Sequence, residues 1–96
     1  MEIIISKSTN KNNKFDVVVD NKKISFGAVG YEDYTIHKDP ARKERYISRH
    51  AKREDWDKSG VKTAGYWSKH LLWNKDTLRK SIDDISRKHN LNIKIK

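Results

Sequence analysis

Residues 15–26, FDVVVDNKKISF, decide the fold. Phe15 to Val19 is an apolar, largely β-branched run and Ile24 to Phe26 is another. Asp20 and Asn21, between them, have the side chains that favour a tight turn. The segment therefore reads as a β-hairpin. Upstream, Ile3 to Ile5 form one more β-branched run, and the polar stretch Ser8 to Asn13 (STNKNN) closes a second hairpin as the expected mobile loop. Downstream, Gly27 and Gly30 end the sheet. The connection GAVGYEDYTIH, residues 27–37, follows neither a helical nor an alternating period, and its Tyr31 and Tyr34 are expected to pin it onto the core.

Asp39-Pro40 marks a helix start. An Asp cap accepts from orphan N–H groups, and proline at the first helical position lacks the N–H that would go unpaired. The helix is expected over about Pro40 to Arg53. Glu54 to Lys62 reads as a polar turn punctuated by Ser59-Gly60. Thr63 caps a second helix over Ala64 to Trp73, with Trp67, Leu71 and Asn74 at i, i+4 and i+7. A third, roughly Asp76 to His89, carries Leu78, Ile82, Ile85 and His89 on one narrow face. Asn90 suits a left-handed helix end, and Leu91, Ile93 and Ile95 alternate with polar residues as a half-buried strand does. The expectation is an α+β fold, a single domain over residues 1–96. It has an antiparallel sheet of about four strands, three N-terminal and one C-terminal, packed with about three helices in the order βββ-ααα-β. The seam Leu78, Ile82 and Ile85 should pack on the sheet beside Trp67 and Leu71, leaving Arg42, Arg45 and Arg49 exposed.

Ninety-six residues form one small core, and the absence of cysteine excludes disulfides, thiolate metal sites and Cys nucleophiles. The four histidines, His37, His50, His70 and His89, have no partner at i,i+3 or i,i+4, so neither a metal site nor a cofactor is expected. GAVGYED lacks the Lys-Ser/Thr of a P-loop and the third glycine of a dinucleotide fingerprint. The best set for a metal-dependent nuclease is Glu32, Asp33, His37 and Asp39, ahead of a basic helix, but Asp39 is already a cap and Glu32 and Asp33 suit a surface loop. Residues 2–5 are too short for a signal segment, and nothing approaches a membrane span, so no membrane partner is expected.

The charge is informative. Lys and Arg number 22 against 13 Asp and Glu, a net +9. Residues 1–38 carry six cations and five acids, whereas residues 39–96 carry sixteen and eight. At about 100° per residue, Arg42, Arg45, Arg49, Lys52 and Arg53 share one arc of the first helix, while Ile47, His50 and Ala51 lie on the other side. Such an arc is ordinarily a solvated face. Solvated faces, however, interleave both signs for i,i+4 support, and this arc holds no acid. Phosphates would neutralise it, with Arg supplying bidentate geometry. Eight of the nine aromatics lie between Phe26 and Trp73. Trp67 and Trp73 read as core, whereas Trp56, in the polar turn REDWDKSG, is the candidate for base stacking or a protein contact.

Three stretches carry a resemblance: Ser25 to Asp39 (SFGAVGYEDYTIHKD), the Arg49-His50 pair, and Ser59 to Asn74 (SGVKTAGYWSKHLLWN). Across about residues 14–85 the chain resembles a small, basic, uncharacterised protein family of nucleocytoplasmic large DNA viruses, the giant viruses and their algal-virus relatives. The resemblance implies a viral protein acting in the virus factory of the host cytoplasm, in the virion, or in the nucleus, and it transfers no catalytic residue. The expected function is non-enzymatic binding of DNA or RNA, with Arg42, Arg45, Arg49 and Arg53 on phosphates, Lys52 and Lys69 assisting and Trp56 stacking. The alternative is a virion structural or adaptor protein that binds acidic protein surfaces through Trp56.

Overall fold

The hairpin sequence does what its turn residues require: Asp20 and Asn21 both take left-handed φ, 49° and 66°, the two-residue geometry that matches strand twist. In the computed structural model, which describes residues 2–96, strands β1 (Glu2–Lys7), β2 (Asn13–Val19) and β3 (Lys22–Ala28) form an antiparallel meander, Ile5 opposite Val17 and Val17 opposite Ile24. The last strand, β4 (Asn92–Ile95), returns beside β1, giving the order β3-β2-β1-β4. It runs parallel to β1, with Ile3 beside Ile93. The sheet is thus mixed rather than wholly antiparallel. A hairpin dictates strand sense, whereas a long helical connection leaves it to packing.

One face of the sheet is apolar. Ile3, Ile5, Val17, Val19, Ile24 and Phe26 are buried there against Trp67, Leu71, Leu72, Ile82 and Ile85. The seam of α4 (Leu78–His89) packs as expected, with Leu78 at its half-buried end. Thr77 caps α4, accepting from the Lys80 N–H at 3.1 Å, and Asn90 ends it at φ 54°.

The second helix departs from expectation. Thr63 caps it, but regular α-turns stop at Trp67; α3 is Ala64–Trp67, and Ser68–Leu72 continue as a π turn. His70, Leu71 and Leu72 are buried in succession there, and the wider π turn carries a stretch whose burial exceeds one helical stripe.

Two loops are better anchored than their composition suggests. The β1–β2 connection is tied down by Asp16 of β2, which accepts from Ser8 Oγ at 2.6 Å, Ser25 Oγ at 2.7 Å and the Thr9 N–H at 3.1 Å. Burial pushes the Asp16 carboxyl up, but these donors and the nearby Lys23 together hold it well below the usual carboxylate range. The 27–37 connection contains a short helix, α1 (Tyr34–His37), capped by Asp33, whose carboxylate also pairs with Lys14 at 2.7 Å. Tyr34 is half-buried, but Tyr31 is 74% exposed and does not pin the segment.

Candidate nucleic-acid interface

The basic stripe belongs to α2 (Pro40–His50), whose start is as read: Asp39 accepts from the Ala41 N–H at 3.0 Å, and Pro40 opens the helix. The helix ends at His50, whose carbonyl accepts the Arg53 and Glu54 N–H groups, so Lys52 and Arg53 lie on the turn that follows.

Tyr46 is the one buried residue of α2. Its ring lies parallel to Trp73 at 4.4 Å, and His50 stacks on it at 4.3 Å. Two rings so close to a third occupy its opposite faces. His37 meets the far side of this column, 5.2 Å from Trp73. Aromatic pairs of this kind contribute about 0.5–1.5 kcal/mol each beyond burial. Burial, reinforced by Glu54, pushes the Tyr46 hydroxyl up to about 12. Lys43 adds a second attachment: it donates to the Asn74 carbonyl and lies 4.9 Å from the Tyr34 ring centroid. The helix is thus clamped along one side while the opposite side faces solvent.

On that outer side Arg45, Arg49, Lys52 and Arg53 are exposed and, among the described residues, make no ion pair. Arg42 differs from expectation. It is half-buried and reaches Glu32 at 3.3 Å, because the loop before α1 brings that carboxylate back over the first turn of α2. Arg42, Arg45 and Arg49 border one shallow open depression with Ser48, Glu44 and Trp73. Trp73, expected in the core, is half-buried, at the junction of the stack and the stripe. No linear pattern connects residues 46 and 73, so spacing could not have found it.

Two expected members lie elsewhere. Lys69, on the π turn, is half-buried over the Trp56 ring, 5.5 Å from its centroid. Burial lowers its ammonium, and so do the charges of Lys88, Lys43 and Lys75. It stands on a different element from the arginines of α2. Trp56 is half-buried, with its Nε1 buried and unpartnered, and its carbonyl accepts from His70 Nε2 at 2.8 Å. Lys69 lies over one face of its ring.

The nuclease set is engaged in local structure. Glu32 pairs with Arg42, Asp33 caps α1, Asp39 caps α2, and His37 Nδ1 accepts the Asp39 N–H at 2.9 Å. Among the described residues, no three His, Asp or Glu side chains gather as metal ligands would. No described helix is long and apolar enough to cross a membrane.

A family model matches residues 3–50, the span from β1 to the end of α2, including Arg42, Arg45 and Arg49. No curated protein and no solved structure matches the chain. The matched span is half of the 96 residues, and the chain belongs to that family, described as "Family of unknown function (DUF5754)".

Proposed function

We propose that this protein binds nucleic acid without catalysis, through phosphate contacts from the outer face of α2 and the turn after it. The observation that carries the reading is the set Arg45, Arg49, Lys52 and Arg53: exposed cations without an ion-pair partner among the described residues, the first two on a helix held from behind by the Tyr46–Trp73 stack and the last two on the turn that follows it. A like-charged face destabilises its own helix, and a polyanion relieves that repulsion. Phosphate contacts hold position and carry no base information, so binding to duplexes of different sequence should be nearly equal. Taken with the resemblance to the large-DNA-virus family, this reading makes the protein a genome-associated or virus-factory component.

The test is the salt dependence of duplex binding. Four neutralised phosphates give a slope of about −3.6 in log K against log salt, a loss of roughly 150-fold between 50 and 200 mM. Charge reversal at Arg45 and Arg49 should weaken every sequence alike. An affinity insensitive to salt would overturn the reading.

The adaptor reading draws support from a different place. Tyr31, Val29 and Ile36 are 74%, 53% and 53% exposed, and Val29 and Ile36 line an apolar cleft with Phe15 whose rim carries Lys7 and Lys11. An acidic protein segment with an apolar anchor suits that chemistry better than it suits Trp56. A complex that survives nuclease and is lost in Ile36→Ser would favour it over nucleic-acid binding, and one lost to nuclease would exclude it.

A further inference from the structure

Of the four large apolar side chains exposed among the described residues, three, Val29, Tyr31 and Ile36, come from residues 29–36. Val29 and Ile36 line an open cleft of about 590 Å³ together with the half-buried Phe15. The cleft does not close on itself, because each wall is pinned. The Val29 N–H donates to the Asn12 carbonyl at 3.1 Å, which holds Val29 to the β1–β2 loop. Phe15 stacks on Phe26 with ring centroids 5.8 Å apart. Ile36 rides on α1, which Asp33 caps and which Lys14 braces through its pair with Asp33 at 2.7 Å.

The lining also fixes what a ligand can offer. Ser8 Oγ donates to Asp16 at 2.6 Å, and Asn13 Nδ2 donates to the Gly27 carbonyl at 3.3 Å. Lys14 donates to the Tyr31 carbonyl at 2.6 Å as well as to Asp33, and the Thr35 hydroxyl donates to Asp33. These groups are engaged within the chain. Lys7 and Lys11, at the rim, are exposed and make no ion pair among the described residues. What remains for a ligand is apolar contact along the walls and negative charge at the rim. A nucleic-acid base suits such walls poorly: Val29 and Ile36 offer no donor or acceptor to its ring edges, and burying those edges unpaired is costly. The volume lies within the range of about 300–1,000 Å³ typical of ligand pockets, more room than one side chain needs.

We propose that the cleft receives a short acidic protein segment, which places two neighbouring apolar side chains between Phe15, Val29 and Ile36 and its Asp or Glu residues on Lys7 and Lys11. The proposal rests on the adaptor reading, whose partner it names. No residue lines both this cleft and the arginine depression, so the segment and a nucleic acid can be held at the same time.

The test titrates the full chain into three fluorescein-labelled peptides, DDLFDD, DDAADD and NNLFNN, followed by anisotropy in about 0.1 M salt. DDLFDD should bind, and the other two should each bind at least about tenfold more weakly, because one lacks the apolar anchors and the other the charge. Val29→Ser/Ile36→Ser and Lys7→Ser/Lys11→Ser change exposed positions and keep the fold; each should weaken DDLFDD by a similar factor, whereas Arg45→Ala/Arg49→Ala should leave it nearly unchanged. The amide NMR signals of Lys7, Lys11, Phe15, Val29 and Ile36 should shift together as DDLFDD is added. Equal binding of DDLFDD and DDAADD, or of the parent and Val29→Ser/Ile36→Ser, reduces the effect to net charge and overturns the proposal. A short oligothymidylate that moves the Val29 and Ile36 amides as the peptide does makes the cleft a base site and overturns it too. The two failures are separable. A nuclease-resistant complex that survives Val29→Ser/Ile36→Ser overturns the cleft assignment and leaves the adaptor reading standing, whereas DDLFDD bound in the cleft without any nuclease-resistant complex supports the cleft and overturns the adaptor reading.

Discussion

Acidification should unfold this protein through one histidine, His70, and the size of the effect can be worked from its surroundings. His70 is 5% exposed. Its Nε2 lies 2.8 Å from the Trp56 carbonyl, which can only accept, so Nε2 carries the proton of the neutral ring. Nδ1 is buried without a partner. A second proton would go there, beside the Tyr66 ring at 4.5 Å and close to Lys69, with no acceptor to receive it. Burial therefore pushes His70 from 6.5 down to about 4, only partly opposed by the Trp56 carbonyl and reinforced by Lys69 and His89. Between those values the unfolded chain binds the proton and the folded chain does not. Stability is complete above about pH 6.5 and falls steadily as the pH drops towards 4, by about 3 kcal/mol in total. That is a large share of what a domain of this size possesses. Urea unfolding of the parent and of His70→Gln, which keeps a donor for the Trp56 carbonyl, should show the parent losing about 3 kcal/mol more than the variant between pH 7.5 and 4. Asp16 and Asp84, whose folded carboxyls sit below their ordinary range, lose their contribution only as the pH falls further, and do so equally in both proteins. Parallel stability curves for the two proteins would refute the reasoning.

Other outcomes can be checked by unfolding, amide exchange and duplex binding. Ile85→Ala, at a fully buried position of the α4 seam, should cost towards the upper end of about 2–5 kcal/mol, and Ile82→Ala less, because Ile82 also borders a shallow groove between α4 and β4. Gly60→Ala should destabilise by about 1–3 kcal/mol, since an added Cβ would sit 1.9 Å from the Asp55 carbonyl oxygen, a backbone atom with little room to yield. Tyr46→Ala should release α2 while the sheet holds, seen as lost amide-exchange protection confined to residues 40–50, whereas Arg45→Ala should leave stability within about 0.5 kcal/mol and make the duplex salt slope shallower by about 0.9.

Local chemistry was enough to read most of the chain. The Asp20-Asn21 turn, the Asp39 and Thr63 caps, proline at the start of α2, the Asn90 helix end and the Ile82–Ile85 seam each depend on residues within one turn of one another, so their signals survive in the linear sequence. The positive arc of α2 was legible for the same reason, because helical geometry alone places Arg45 and Arg49 on one side. What tertiary structure decided was every relation across elements. Whether β4 ran with or against β1 depended on how α4 lay on the sheet. Tyr31 was expected inside and stands in solvent, because the connection is held by the Asp33–Lys14 pair and by α1 instead. Trp56 took Lys69 over one face of its ring, Arg42 gained Glu32, and Lys69 stands on the π turn, away from the helix that carries Arg45 and Arg49. A charge or a ring is visible in sequence as a type, but the partner that neutralises or covers it comes from a distant segment, and only the packed chain brings the two together.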